Sequence, residues 1–248
     1  MAGFVGSGAA WDTFEEVWAR IGDDAIAPGF HAKVFFRTDT NRQRVGAYKG
    51  WSDDRATRLI SGVVDAVNGS RVHPVVIAIE LDGFNHLTPS EQQILTRGRE
   101  KPYFMGFELA ILESTSRIKP PGCLVDFIFD RNQVFENAAR SLYADLEAEG
   151  DHFSRRMGNL DFRSSLETPA LQAADLLAHC WYQLRPDARR LKLIRPVMES
   201  WTDKDYQGHI WAKDTFDKAF GRAPRTRGMD YEVRISESGR YSIAPARE

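Results

Sequence analysis

The sequence predicts an α/β fold, because short apolar runs with strand character alternate with longer segments of helical periodicity. Two runs are the clearest strands. Residues 74–81 form a near-continuous run of Val and Ile, and residues 122–130 are rich in Val, Ile and Phe after a Pro-Pro-Gly turn. Segments of helical spacing precede and follow both runs. We therefore expect a sheet with helices packed against it.

The elements before the first clear strand follow from local signals. Residues 2–5 are expected to form a short edge strand, and apolar residues at helical spacing follow it. Ser52 is a good N-cap for a second helix, whose apolar positions recur at i, i+3, i+4 and i+7. Those positions are Ala56, Leu59, Ile60, Val63, Val64 and Val67.

The rest of the chain continues the alternation of helices and strands. The further predicted elements are, in chain order, helices at 89–97, 102–118, 132–149 and 170–184, a helix ended by Gly221, and a hairpin of residues 231–235 and 241–243. The segment 170–184 is apolar on nearly every side, which is typical of a helix packed inside a domain.

Asp175 stands in the middle of that apolar helix. An ionised carboxylate that is buried without a partner is strongly destabilising. We therefore expect Asp175 to meet a cation, a metal ion or a set of hydrogen-bond donors. A structural ion pair with an arginine is one interpretation, and a place in a functional site is the other.

Two more residues are candidates for a functional site. Asp130 ends an apolar strand and precedes a helix, and this is where open α/β sheets place their ligands. His31 lies in the short segment 30–36. It is either a hydrogen-bonded structural residue or a ligand or base.

Four stretches carry a resemblance to a known family. They are Phe30-His31-Ala32, Tyr48-Lys49-Gly50-Trp51-Ser52, Phe127-Ile128-Phe129-Asp130, and Ser164-Ser165 with residues 169–178. With them, most of residues 1–185 resembles the domain-of-unknown-function family numbered 3800, whose members are similar to ribonuclease H-like proteins. The resemblance implies a ribonuclease H-like mixed sheet flanked by helices. Residues 186–248, which the resemblance does not cover, are expected to form a C-terminal helical and hairpin extension packed on that domain.

Members of that family begin with a further strand that carries an Asp-Glu-Ser-Gly motif. This sequence starts after the place where that strand belongs. The resemblance therefore implies an N-terminally shortened member that lacks one of the expected metal-binding acids and leaves a strand edge exposed.

The resemblance also assigns roles to residues. It implies that Asp130 and Asp175 are catalytic metal ligands and that His31 orients water or contacts the scissile phosphate. Gln172 and Glu167 are expected to support these groups. The implied cofactor is Mg²⁺ or Mn²⁺, since hard oxygen ligands suit these ions and paired metal ions activate water in phosphodiester hydrolysis.

Charge limits how the protein can hold a nucleic acid. The formal net charge is only -2, so no global field attracts a polyanion, and any contact has to be local. The best local patch directly follows the Asp175 helix and comprises Arg185, Arg189, Arg190 and Lys192. A solvated helix face is the ordinary alternative for this patch.

The cysteines and the hydropathy bear on location. Cys123 and Cys180 are expected in a core strand and a core helix, as buried apolar residues that form neither a disulfide framework nor a metal knuckle. No apolar run approaches the roughly 18 to 20 residues that span a bilayer. We therefore expect a cytoplasmic protein that makes no contact with a membrane.

Two function classes follow from these observations. The first is a divalent-metal-dependent nuclease or a related phosphoryl-transfer enzyme. The second is a non-catalytic nucleic-acid- or protein-binding module of the same fold, favoured by the missing first strand and the lack of overall basic charge. A Ser-His-Asp or Cys-His hydrolase comes third, because no nucleophile elbow is present.

Overall fold

The computed structural model describes residues 1–21, 29–41, 43–117, 122–183, 197, 201, 207–221, 231–235 and 241–245. Helices and strands alternate along these residues, so the predicted α/β class is confirmed. The helices are α1 (Gly8–Ala19), α2 (Ala32–Phe35), α3 (Asp53–Ser70), α4 (Leu81–Asn85), α5 (Pro89–Leu95), α6 (Pro102–Arg117), α7 (Glu136–Ala148), α8 (Pro169–Gln183) and α9 (Lys213–Ala219). The strands are β1 (Ala2–Val5), β2 (His73–Ile79), β3 (Val125–Asp130), β4 (Met157–Arg163), β5 (Gln207–Trp211), β6 (Tyr231–Ile235) and β7 (Tyr241–Pro245).

A three-stranded mixed sheet has the order β1-β2-β5. Strand β1 pairs antiparallel with β2, and β5 pairs parallel with β2, placing His209 opposite Ile77. The Val and Ile run therefore occupies the central strand, as its composition predicts. Strand β5 lies beyond residue 185, so the region assigned to a C-terminal extension supplies a strand to this sheet.

Two other pairs of strands lie outside that sheet. Strands β3 and β4 pair in parallel and are connected through α7, and β6 and β7 form the predicted antiparallel hairpin. Within the described residues, neither pair is hydrogen-bonded to β1, β2 or β5. The strands thus form several small sheets. The finer ribonuclease H-like arrangement stays a prediction.

Helix α6 joins the three-stranded sheet to the β3–β4 pair through its buried side chains. Phe104, Phe107 and Ile111 pack in a cluster with β3, β4 and α7, whereas Met105 and Leu109 pack with residues of β2 and β5. Different faces of this apolar helix therefore pack into two hydrophobic clusters, and this packing attaches the β3–β4 pair to the three-stranded sheet.

Among the described helices, none has both the length and the apolar character needed to span a bilayer.

The environment of Cys123 differs from the prediction. Strand β3 begins only at Val125, so Cys123 lies in the preceding turn and is exposed. Cys180 is buried on α8, as predicted. Ser52 caps α3 as predicted, because its side chain accepts a hydrogen bond from the Arg55 backbone.

A buried ion network ties α5, α6 and α7 together. Arg97 follows α5 and donates from Nε to both oxygens of Glu108 at 3.1 and 2.9 Å, and it also pairs with Glu149 at the end of α7. The Glu108 side chain is 1% exposed. Burial by itself lowers the pKa of Arg97, but the hydrogen bonds and charges of Glu108 and Glu149 outweigh it and the net shift is upward.

We expect Arg97→Met to lower the free energy of unfolding by about 3 to 5 kcal/mol, because it removes the positive charge that pairs with the buried Glu108 carboxylate. The matched control is Arg163→Met, which removes an exposed ion pair with Asp161 and should cost less than about 1 kcal/mol. Urea unfolding of both variants measures the difference. Equal losses in the two variants would contradict a stabilising role for the buried network.

The two cysteines should differ in reactivity. Burial raises the pKa of the Cys180 thiol to about 12, and Cys123 is exposed. At about pH 8, near the pKa of an ordinary thiol, iodoacetamide should label Cys123 in the folded protein and Cys180 only after unfolding. Peptide mass spectrometry reads the two sites separately. Rapid labelling of Cys180 in the native protein is the result that would count against its burial.

Candidate functional site

Helix α8 places two polar side chains among apolar ones. It begins at Pro169, which suits the first position of a helix, and the Thr168 carbonyl accepts the first helical hydrogen bonds. Ala173, Leu176, Leu177 and Cys180 are fully buried. Gln172 and Asp175, three residues apart, share one side of the helix and face the segment that holds His31.

The Asp175 carboxylate accepts hydrogen bonds, as the sequence predicts. Its donors are His31 and Ala32, which lie 144 and 143 positions earlier in the chain. Its Oδ2 atom lies 2.7 Å from His31 Nδ1 and accepts a second hydrogen bond of 2.7 Å from the Ala32 backbone. The Asp175 side chain is 33% exposed and that of His31 is 54% exposed. The carboxylate is therefore half-buried and reachable from solvent, more so than its apolar helix suggested.

The backbone contact has an electrostatic reason. His31 is the N-cap of α2 but its side chain makes no capping hydrogen bond, so the Ala32 N–H at the start of the helix needs an outside acceptor. Asp175 supplies that acceptor. A negative charge at a helix N-terminus is favourable, so α2 holds the carboxylate in place. In return, the carboxylate accepts the hydrogen bond of the first backbone N–H of α2.

The Asp175 contact also selects the tautomer of His31. A carboxylate only accepts hydrogen bonds, so the imidazole has to donate from Nδ1. In the neutral ring, Nε2 is then the acceptor. His31 is half exposed, and an imidazole oriented by a carboxylate in this way is arranged to accept a proton at Nε2.

Gln172 connects the chain at Phe30 with the loop at Leu166. Its Oε1 accepts from the Phe30 backbone at 2.9 Å, and its Nε2 donates to the Leu166 carbonyl at 3.2 Å. The residue is 3% exposed, and its hydrogen bond to Phe30 is buried. Gln172 thus connects the chain before His31 with loop 164–168.

Asp130 contacts the same loop from its other side. It ends β3, and its Oδ1 accepts a 3.0 Å hydrogen bond from the Ser165 backbone. Burial, followed by the negative charge of Asp130, raises the pKa of the neighbouring Tyr103. Loop 164–168 therefore connects Asp130, through Ser165, Leu166 and Gln172, to the segment that carries His31.

Tyr48 is a residue of the site to which the sequence assigned no role. It is buried and packs edge-on against Phe35 at 5.0 Å and Trp51 at 5.1 Å. Burial raises the pKa of Tyr48, a backbone hydrogen bond at His31 opposes this, and the charge of Asp175 adds to the rise. The phenol therefore lies close to both members of the His31–Asp175 pair. Its place in one of the four resembling stretches was the only signal for it.

The carboxylates suit a hard cation in their chemistry. The described hydrogen bonds occupy Oδ2 of Asp175 and Oδ1 of Asp130, which leaves the other oxygen of each for a ligand. Mg²⁺ is commonly held by one or two carboxylates together with water and substrate phosphate. Within the part of the chain that the structure describes, no group of three or more His, Cys, Asp or Glu side chains is arranged to hold a metal ion.

The remaining predicted site residues stand as follows. Glu167 is exposed in loop 164–168, next to Leu166. The predicted nucleic-acid contacts Arg185, Arg189, Arg190 and Lys192 lie outside the described residues.

We expect Gln172→Met to lower the free energy of unfolding by about 1 to 3 kcal/mol for each backbone group that it leaves buried and unpaired. Amide hydrogen exchange at Phe30 should also accelerate, because its acceptor is removed. The control is Gln93→Met, an exposed position on α5. Unchanged exchange at Phe30 would show that Gln172 does not hold the segment before His31.

No protein-family model matches this chain, and neither does any curated protein or any solved structure.

Proposed function

We propose that this protein is a divalent-metal-dependent nuclease that hydrolyses phosphodiester bonds of nucleic acid. The observation that carries the proposal is the 2.7 Å contact between His31 Nδ1 and Asp175 Oδ2 at a half-exposed position. It supplies an oriented imidazole beside a carboxylate, and loop 164–168 connects that carboxylate to Asp130. The resemblance to ribonuclease H-like proteins supports the same reaction class.

His31 is the proton acceptor in this proposal. Nε2 takes a proton from the attacking water, and Asp175 stabilises the imidazolium that forms. The Ala32 N–H holds the carboxylate during this change, so little reorganisation is needed. The buried Gln172 and Tyr48 keep the segment on either side of His31 in place.

Asp130 and Asp175 are the residues that would hold Mg²⁺ or Mn²⁺, through the oxygens that carry no hydrogen bond from the described residues. When bound, such an ion supplies charge neutralisation at the phosphate and lowers the pKa of water. Glu167 lies on the exposed loop 164–168, which contacts Asp130 and Gln172, and we propose that it supports one of the two carboxylates. Arg185, Arg189, Arg190 and Lys192 follow α8 directly and are proposed to contact the nucleic acid.

A specific observation favours a second candidate function. Within the described residues, no three His, Cys, Asp or Glu side chains are grouped to hold a metal ion, whereas the family resemblance implies a further metal-binding acid beside Asp130 and Asp175. A non-catalytic nucleic-acid- or protein-binding module of the same fold needs no such set. In that case the His31–Asp175 pair serves only to join α2 to α8.

Cleavage assays decide between the two candidates. With Mn²⁺ and single- or double-stranded DNA or RNA, we expect turnover by the wild type and none by Asp175→Asn or Asp130→Asn. His31→Ala should lower kcat by about 10² to 10⁴, the usual contribution of a general base. Substrate binding by Asp175→Asn should persist, because the change removes a negative charge near the phosphate.

The matched control is Asp161→Asn, an exposed aspartate in an ion pair on β4. It should cleave like the wild type. Binding without cleavage of any of the four polymers would rule out the nuclease and favour the binding module. Equal cleavage by wild type and Asp175→Asn would remove this site from the reaction.

A further inference from the structure

The segment from His31 to Arg58 is strongly basic in a chain that is slightly acidic overall. It contains seven Lys and Arg residues against three Asp, a net charge of +4, whereas the whole chain carries -2. Three of these cations, Lys33, Arg37 and Lys49, are exposed, and none of them has an ion-pair partner among the described residues. We call these three residues the basic rim.

An aromatic cluster gathers the rim into one part of the molecule. The ring of Phe35 on α2 contacts Tyr48 at 5.0 Å and Trp51 at 6.4 Å, and the Arg44 guanidinium lies 4.7 Å from its centre. These contacts hold together α2, the turn at Gly46–Tyr48 and the start of α3. Cations spread over a long stretch of sequence are thereby brought around one apolar centre.

The rim borders the His31–Asp175 pair. Lys33 directly follows Ala32, whose N–H binds Asp175. Arg37 directly follows Phe36, whose ring stacks on His179 of α8 at 4.7 Å. Both ends of α2 are therefore attached to the helix that carries Asp175. A chain of phosphates that contacts Lys33 and Arg37 passes the candidate site.

Beside the rim lies a surface suited to a flat ligand. Trp51 is partly exposed, and the Arg55 guanidinium lies 4.0 Å above its ring. Indole and guanidinium planes are the groups on which unpaired nucleobases stack, and stacking next to phosphate-binding cations is characteristic of proteins that hold single strands. A duplex keeps its bases stacked on each other and cannot use such a surface.

We propose that the basic rim, with Trp51 and Arg55, binds single-stranded nucleic acid and leads it past His31 and Asp175. This inference rests on the proposed nucleic-acid substrate and adds that the substrate is single-stranded. It uses residues other than the predicted contacts Arg185, Arg189, Arg190 and Lys192. The phosphates pair with Lys33, Arg37 and Lys49, and a base stacks at Trp51.

The test is the salt dependence of binding to a labelled oligothymidylate, measured with EDTA so that cleavage plays no part. Each phosphate contact on a single strand contributes about 0.7 to the slope of log K against log salt, so Lys33→Gln/Arg37→Gln/Lys49→Gln should flatten it by about 2. The control Arg20→Gln/Lys101→Gln/Lys213→Gln removes the same charge at exposed positions elsewhere and should leave the slope nearly unchanged.

Further arms test the stacking surface and the partner class. Arg55→Gln, an exposed change, should weaken binding several-fold through lost stacking. A duplex of the same sequence and a polyglutamate peptide should bind less tightly than the oligothymidylate. Three results would overturn the inference. They are an equal decrease of the salt slope in the control triple variant, tighter binding of the duplex or the peptide, and no binding of the oligothymidylate by the wild type. Strand binding through the rim without cleavage in Mn²⁺ would contradict only the proposed nuclease.

Discussion

The candidate site depends on the hydrogen bonds that the Asp175 carboxylate accepts. Asp175 lies on a helix whose other side chains are largely apolar, and its Oδ2 accepts hydrogen bonds from His31 Nδ1 and from the Ala32 backbone. Because a half-buried charge is costly without donors, these two contacts fix α2 against α8. The same contacts orient the imidazole, so the interaction that stabilises the fold here also positions the proton acceptor that we propose.

Neighbouring residues hold His31 and Asp175 in this arrangement. Gln172 joins the chain before His31 to loop 164–168, and Asp130 binds the same loop through the Ser165 backbone. On the other side, Phe35 gathers Tyr48 and Trp51 into an aromatic cluster. Support on both sides suits the proposed role of His31 as a general base, since its Nε2 atom would have to stay within hydrogen-bond reach of water.

Sequence patterns predicted the elements whose signals are local. The Val and Ile run of β2, the Ser52 cap and the apolar face of α8 all depend on neighbouring residues, and so does the need of Asp175 for donors. The identity of those donors depends on packing across more than 140 residues, which periodicity does not encode. Strand β5 was missed because a short segment such as Gln207–Trp211 becomes a strand only by pairing with β2. Cys123 was wrongly assigned to the core because the strand pattern does not mark where pairing begins.

The contact with Asp175 should hold the proton of the neutral His31 imidazole on Nδ1. Long-range ¹H–¹⁵N correlation spectra of labelled protein, recorded where the imidazole is neutral, distinguish the two tautomers of each histidine. We expect the Nδ1–H form for His31 in the wild type and its loss in Asp175→Ala, with the other histidines unchanged. An Nε2–H form in the wild type, or the same spectrum for His31 in both proteins, would show that Asp175 does not set the tautomer.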